Sequence, residues 1–249
     1  MKPILFKPHM VNSIFDDIKT QTRRIVKQEP TVSEDGFVYF QLGNENCRVD
    51  GHNWKQYFID NFCPFGKIGD LLWVREAWRL TGVDLDGEYS IDYQARGSYN
   101  FYPTGETEDY WIEKIEKLVD VMSSKPSFAV DEDEERCVWD GRDVPWKPSI
   151  HMPKEICRLF LKITDIRIER LQEISYTDAA AEGVEKLTEG YRNYFSKLNP
   201  PGETFFWPNA YHSFQSLWES IHGSESWESN PWLWVIEFEK TDKPANWPQ

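Results

Sequence analysis

The chain has 249 residues, of which 40% are hydrophobic, and its formal net charge at pH 7 is −14. This hydrophobic content, with twelve tryptophans, excludes a chain that is disordered throughout. No run of about eighteen apolar residues argues for a membrane span, and the apolar run near the first residue is too short for a signal peptide. We therefore expect a cytoplasmic protein.

The first predicted elements are a short strand over residues 3–6 and a short helix over residues 10–18, where apolar side chains recur at helical spacing. A turn over residues 19–24 leads into a strand through Ile25 and Val26. A further strand is predicted over residues 71–78, after a glycine-containing turn. Its Leu72, Val74 and Glu76 share one face, opposite Trp73 and Arg75.

Two stretches look like irregular insertions, at residues 79–145 and 186–209. The first includes a helix-like stretch around residues 110–121, and a proline-bracketed loop over residues 146–153 follows it. Residues 84–143 hold seventeen acidic and six basic residues, and the stretch from Asp131 to Glu135 is the densest. Such a block repels phosphate, so extensive binding to duplex nucleic acid is disfavoured. A small ligand or a few nucleotides at a local basic pocket stays open.

The C-terminal part alternates between strands and helices. We predict one long strand or a bent pair of strands over residues 156–170, and a further strand over residues 232–239. We also predict a short helix capped by Ser175 or Thr177 and ended by Gly183, and an amphipathic helix over residues 211–221. The tail, residues 244–249, is expected to be loose. The element order favours an α+β chain in which helices cover the openings of a small, partly closed β-barrel.

The sequence Lys19-Thr20-Gln21-Thr22-Arg23-Arg24 is chemically dense. In an extended segment the side chains of Thr22 and Arg24 leave from one face, and Lys19 lies at the preceding turn. A hydroxyl beside an amine is a minimal arrangement for activating an oxygen nucleophile. A solvated basic turn is the alternative interpretation, because residues 1–27 hold six basic and two acidic residues.

Four stretches together resemble the ASCH domain family, a branch of the PUA-like barrels associated with RNA and modified-nucleoside chemistry. They cover under half of the chain and occur in the family's order: Lys19-x-x-Thr22-x-Arg24 with its preceding helix, Gly69-Asp70-Leu71-Leu72-Trp73-Val74, Ala180-Ala181-Glu182-Gly183-Val184, and Trp234-Val235-Ile236-Glu237-Phe238. The loop Trp146-Lys147-Pro148-Ser149-Ile150-His151-Met152-Pro153, with Asn230-Pro231-Trp232, is similar to longer members from bacteriophage and prophage genomes.

The resemblance implies a single PUA-like domain over residues 1–243 in a bacterial host cell. Some compact members hydrolyse the exocyclic acyl amide of N4-acetylcytidine with a lysine, a threonine and a glutamate, which by position are Lys19, Thr22 and Glu182. In one assignment Thr22 attacks and Lys19 is the base, which requires burial and Arg24 to lower the pKa of Lys19, while Glu182 orients the amine or protonates the leaving nitrogen. In the other, Lys19 stabilises the oxyanion and Glu182 activates water.

Six further residues are candidates for substrate binding: Arg24, Glu76, Trp146, Ser149, His151 and Trp232. The tryptophans can stack a nucleobase, and the proline-bracketed loop can form the lip of a base-binding pocket. For Glu76 the alternative is an ion pair on the strand face, and for His151 a structural hydrogen bond. Most of the tryptophans must belong to the core.

Three functions stay open at this point. The first is an amidohydrolase of an N4-acylated cytosine nucleoside or a related modified base. The second is a non-catalytic reader of a modified base in RNA or DNA, and the third is a ribonuclease. No cofactor or metal is predicted, because there is no glycine-rich phosphate loop. The spacing of Cys47, His52 and Cys63 fits no common zinc pattern, and the four cysteines are expected to be reduced.

Overall fold

The computed structural model describes residues 1–34, 36–42, 45–84, 87–103, 108–131, 136–194 and 206–247. The helices are α1 (Pro8–Phe15), α2 (Trp54–Phe62), α3 (Glu108–Met122), α4 (Tyr176–Ala181) and α5 (Ala210–His222), with short 3-10 helices at Gly141–Asp143, Ser149–His151 and Leu171–Glu173. The strands are β1 (Lys2–Leu5), β2 (Gln21–Ile25), β3 (Thr31–Val32), β4 (Phe37–Leu42), β5 (Glu45–Asp50), β6 (Leu71–Arg75), β7 (Trp78–Asp84), β8 (Tyr89–Tyr93), β9 (Ser98–Phe101), β10 (Ala129–Asp131), β11 (Arg136–Val138), β12 (Phe160–Arg170), β13 (Lys186–Leu187), β14 (Gly190–Arg192), β15 (Phe206–Trp207) and β16 (Trp232–Thr241). The α+β class is confirmed.

The central sheet has five strands in the order β1-β6-β12-β16-β2. Strands β1 and β6 run parallel, and the other neighbours are antiparallel. The two longest strands, β12 and β16, pair from Phe160↔Thr241 to Arg170↔Trp232. Their alternating apolar residues face a core that α1, α2, α4 and α5 also fill.

The described strands of this sheet do not close into a barrel. The edge strands β1 and β2 share no backbone ladder, and side chains fill the space between them. Arg24 of β2 donates a hydrogen bond to the carbonyl oxygen of Leu5 in β1 at 2.6 Å. Its guanidinium lies 5.1 Å from the centre of the Phe6 ring, which in turn contacts Phe238. The sheet is therefore open, and an arginine bridges its edges.

The first insertion is not irregular. Strands β10, β11, β7, β8 and β9 form an antiparallel sheet that packs, with α3, around a second core. Trp73 and Phe160, on the far face of the central sheet, belong to this core. The predicted strand over residues 71–78 is thus two strands in different sheets. Residues 132–135, in the densest acidic stretch, lie outside the described residues.

The second insertion is also partly regular, since β13, β14 and β15 form a small antiparallel sheet; residues 195–205 lie outside the described residues. The segment before β6 contributes another three-stranded sheet, β3-β4-β5, and α2. Within the described ranges, no helix is both long and apolar enough to cross a bilayer.

Two expectations at the ends of elements are wrong. Helix α1 ends at Phe15 rather than at residue 18, and Ile18 is half exposed, because Asp17 adopts a positive φ of 57° that a helix cannot continue. The tail is not loose up to Trp247, which is buried and contacts the rings of Trp73 and Phe160. The Trp247 indole also donates a hydrogen bond to the Lys154 carbonyl at 2.9 Å.

Candidate functional site

Lys19 lies where α1 joins β2, and Glu182 lies at the end of α4. The backbone fixes both positions: the Lys19 amide donates to the Ser13 carbonyl at 3.0 Å, and the Thr20 amide donates to the Ala181 carbonyl at 2.9 Å. Ser175 caps the start of α4 by accepting a hydrogen bond from the Asp178 amide at 3.0 Å. These bonds hold the end of the short helix against the start of β2.

The close approach of these two segments requires glycine at position 183. Gly183 has a φ of +83°, which ends α4 in the left-handed region. A Cβ atom added there would lie 2.7 Å from the Cβ of Lys19 and 3.0 Å from the Cβ of Ser13. Any larger residue would push Lys19 away from Glu182.

Lys19 and Glu182 form a buried ion pair. The Nζ atom of Lys19 donates to Oε2 of Glu182 at 2.9 Å and to the backbone oxygen of Glu182 at 2.7 Å. Both residues are buried, with 2% and 4% of their surface exposed. Glu182 is therefore not the solvated helix glutamate that its position alone suggests.

Arg23 supplies a second cation to the same carboxylate. Its guanidinium donates to Oε1 of Glu182 and to Oε2 of Glu169, each at 3.0 Å. It also lies 3.6 Å from a carboxylate oxygen of Asp178. Glu169 and Asp178 in turn accept hydrogen bonds from Arg167, at 2.6 and 3.1 Å. The buried pair is thus the inner end of a charge network that reaches the surface.

Burial lowers the pKa of Lys19 below its ordinary value; Glu182 raises it, and Arg24 and Arg23 lower it further. Since Arg23 also neutralises Glu182, an uncharged Lys19 would not leave that carboxylate without a cation. An uncharged amine has two N–H groups, and the two acceptors on Glu182 match that number. The geometry therefore suits a lysine that can give up its proton.

Thr22 and Glu182 face one small cavity, here called the inner cavity, which Arg23, Arg24, His222 and apolar side chains of α1 and α5 also line. Its volume is about 90 Å³. Only 2% of Thr22 is exposed. Lys19 does not line the inner cavity, although its amine contacts the Glu182 carboxylate.

A larger cleft of about 780 Å³ adjoins the inner cavity and shares Arg23, Arg24 and His222 with it. We call it the aromatic cleft, because the rings of Phe58, Phe62, Phe65 and Trp234 line it, with Lys27 and Gln28. Its volume falls within the usual range for small-molecule sites. Burial lowers the pKa of His222, with Arg24 and Lys7 acting in the same direction.

The other predicted binding residues lie elsewhere, and Arg24 alone of the six lines the inner cavity or the aromatic cleft. Glu76 is buried and accepts two hydrogen bonds from Arg158, both at 2.8 Å. Glu76 is therefore in an ion pair, although with Arg158 rather than with the neighbouring Arg75. Burial raises the pKa of Glu76, and Arg158 opposes the change.

Trp146, Ser149, His151 and Trp232 are not brought to the cavity. The Trp146 ring lies under the Arg79 guanidinium at 4.1 Å. Ser149 and His151 are the ends of a 3-10 helix, and His151 is exposed. Trp232 is a core residue whose ring meets that of Trp54 at 5.0 Å, edge to face.

Sequence reasoning missed Arg23, His222 and the wall formed by α2. Arg23 lies inside the motif that was singled out, and a second arginine beside Arg24 was the available signal. His222 is the last residue of α5, where no pattern distinguishes it. Phe58 and Phe62 are four residues apart, which is a helical signal within a segment without a clean overall period.

Over the described ranges, no group of three or more His, Cys, Asp or Glu residues could hold a metal ion, and the four cysteines are free. A zinc site at Cys47, His52 and Cys63 therefore has no support. No protein-family model, curated protein or solved structure matches this chain. The function must accordingly be argued from the geometry of the site.

Proposed function

We propose that the protein is a member of the ASCH group of PUA-like proteins and hydrolyses the exocyclic amide of an N4-acylated cytosine nucleoside or a related modified base. The observation that carries the proposal is the contact of the Lys19 amine with Glu182, while Thr22 and Glu182 line one cavity. This proximity of residues from two distant segments supports the proposal, because the chemistry requires the three to act together. An open, arginine-bridged sheet takes the place of a closed barrel.

The two adjoining spaces suit the two parts of such a substrate. The inner cavity is about 90 Å³, which is roughly three water volumes and suits an acyl group rather than a base. The aromatic cleft has room for the cytosine and its sugar. The amide bond would then lie near Thr22 and Glu182, at the junction of the two spaces.

Amide hydrolysis requires an attacking oxygen, a group that moves its proton and a positive charge for the oxyanion. The Glu182–Lys19 pair takes the proton from the attacking oxygen, which is the Thr22 hydroxyl or a water molecule. The C–N4 bond breaks, and the same pair returns the proton to the cytosine nitrogen. Arg24, which faces the inner cavity, stabilises the oxyanion. Attack by Thr22 would leave an acyl ester for water to hydrolyse.

A modified-base reader is the second candidate. Both carboxylate oxygens of Glu182 already accept hydrogen bonds from cations, and a saturated ion cluster also suits a rigid binding site. In that case the aromatic cleft would bind the base, and no bond would break.

The test is to incubate the protein with N4-acetylcytidine and other N4-acylated cytosines and to measure the cytidine or cytosine released. Glu182→Gln and Thr22→Val keep the side-chain shapes, and the exposed residues Glu225 and Thr31 provide matched controls as Glu225→Gln and Thr31→Val. We expect turnover in the wild type and both controls, and a loss of about 100-fold or more in Glu182→Gln. An acylated Thr22 peptide in the mass spectrum would identify threonine as the nucleophile.

Two results would contradict the amidohydrolase. One is no release from any substrate together with tight binding of an oligonucleotide that contains N4-acetylcytidine, which indicates the reader. The other is cleavage of unmodified RNA that Glu182→Gln abolishes, which indicates the ribonuclease.

A further inference from the structure

The aromatic cleft has a charge that is unusual for this protein. The chain carries 42 acidic residues against 28 basic residues. No aspartate or glutamate is among the described residues that line the cleft, whereas Arg23, Arg24, Lys27 and His222 are. An aromatic-lined cleft of a strongly acidic protein is therefore bordered by positive charge.

Two of these cations have no carboxylate of their own. Arg23 is neutralised by Glu182 and Glu169. Arg24 instead donates to the Leu5 carbonyl, and neither Arg24 nor Lys27 forms an ion pair within the described residues. Lys27 is exposed at the mouth of the cleft. Positive groups that form no ion pair beside an aromatic wall are suited to an anionic, aromatic ligand.

Of these two cations, only Arg24 also lines the inner cavity, where the proposed ligand has its reacting end. The sugar is attached to the opposite edge of the cytosine ring, so a phosphate on the sugar lies toward the mouth of the cleft. Lys27 is the exposed cation at that mouth, and lysine is a usual phosphate ligand.

We infer that the aromatic cleft binds a cytosine nucleotide, with the sugar phosphate at Lys27, rather than an uncharged nucleoside. This inference takes its base from the proposed function and adds the phosphate. The cytosine lies against Phe62 and Phe65, which are half-buried and can offer their rings to a ligand. Phe58 and Trp234 stack on each other beneath them, with ring centres 5.5 Å apart.

The experiment is isothermal titration of the full chain with cytidine and with its 5′- and 3′-monophosphates, at low and high ionic strength. We expect at least one monophosphate to bind about tenfold more tightly than cytidine, because a phosphate adds charge-assisted hydrogen bonds. Salt should reduce that preference without changing cytidine binding. Lys27→Gln should lose most of the preference and keep its affinity for cytidine.

Lys125→Gln is the matched control, because it removes the same charge at an exposed position away from the cleft. Equal affinity for cytidine and both monophosphates, no binding of any of the three, or an equal loss in Lys125→Gln would overturn the inference. A phosphate preference in a protein that releases no cytosine from acylated substrates would end the amidohydrolase proposal and leave the nucleotide site standing. Hydrolysis of acylated substrates without a preference for the monophosphates would support the amidohydrolase and end the inference of a phosphate site.

Discussion

The amine of Lys19 lies 2.9 Å from a carboxylate oxygen of Glu182, although the two residues are 163 positions apart in the chain. Both are buried, and the Glu182 backbone oxygen accepts a second hydrogen bond from the same amine. A buried pair of this kind is costly to break, because removing one partner leaves the other charge buried away from water with fewer opposite charges around it. The pair therefore links the stability of the fold to the chemistry of the site.

We expect Lys19→Met to lower the free energy of unfolding by about 3 kcal/mol, since Glu182 loses one of the two cations that donate hydrogen bonds to it within the described residues and keeps Arg23. The double variant Lys19→Met with Glu182→Gln should recover part of that loss, because it removes the buried carboxylate that has lost this cation. Urea unfolding of the two single variants and the double variant measures the coupling. Additive effects in the cycle would show that the pair does not act as a unit.

Gly183→Ala should damage the same site through the backbone. The added Cβ meets the Cβ of Lys19 at 2.7 Å, and the residue must also adopt a positive φ. Gly69→Ala is the matched control, because Gly69 has a φ of +90° and open space around it. Both variants are destabilised by the left-handed backbone conformation of the substituted residue. We expect Gly183→Ala to lose about 1–3 kcal/mol more of the free energy of unfolding, because its added Cβ overpacks the contact with Lys19. Equal thermal destabilisation of the two variants would contradict the close approach.

The strands that alternate in sequence were largely predictable: β16 begins at Trp232 as the pattern predicts, whereas β12 ends at Arg170 as predicted but begins at Phe160 rather than at residue 156. The sheet of the first insertion also alternates: Tyr89, Ile91 and Tyr93 are buried while Ser90 and Asp92 are less so. The many acidic residues around this strand obscured the alternation, since an excess of acidic residues is typical of solvated segments. The composition of the whole insertion therefore hid a strand that the alternation of five consecutive residues indicates.

The site was only partly predictable. Sequence spacing cannot predict a contact between residues as far apart as Lys19 and Glu182. The expectation that these two residues share a site therefore depended on the family resemblance alone. Arg23 was missed because alternation assumes one exposed face, whereas Gln21, Thr22 and Arg23 are consecutive and all buried. The predicted barrel does not close among the described strands, because β1 and β2 are joined by the Arg24 side chain rather than by backbone hydrogen bonds.

The acid stability of the protein should depend on His9. The partial loss of water around its ring lowers the pKa of His9 from 6.5 to about 4, although the residue as a whole is exposed, and Lys7, Lys19 and Arg192 act in the same direction, against Glu185. Between these pH values the unfolded chain binds a proton that the folded chain does not, so stability falls as the pH drops. We expect a loss of at most about 1 kcal/mol over this window, because solvent screens the charges around an exposed residue.

The measurement for His9 is urea unfolding at several pH values. His9→Gln should flatten the acid limb of the stability curve, and His151→Gln, at an exposed histidine, is the matched control. An acid limb in His9→Gln as steep as that of the wild type would assign the pH dependence to other groups.

Arg167 should act on the site without touching it. It hydrogen-bonds to Glu169 and Asp178, the same two carboxylates that lie beside Arg23, and it also contacts Glu237 and Gln21. Removing it frees both carboxylates to shift, so that Arg23 no longer holds Glu182 at a fixed position. On the proposed amidohydrolase, we expect Arg167→Gln to lower kcat about tenfold with little change in KM, because the substrate does not contact Arg167.

Two further variants test this prediction. Arg167→Lys should restore part of the rate, since lysine keeps the positive charge but not the several N–H donors of the guanidinium. Arg142→Gln, at an exposed arginine paired with Asp140, should leave both constants unchanged. A rise in KM at constant kcat would instead mean that Arg167 supports substrate binding, and no change in either constant would confine its role to the surface.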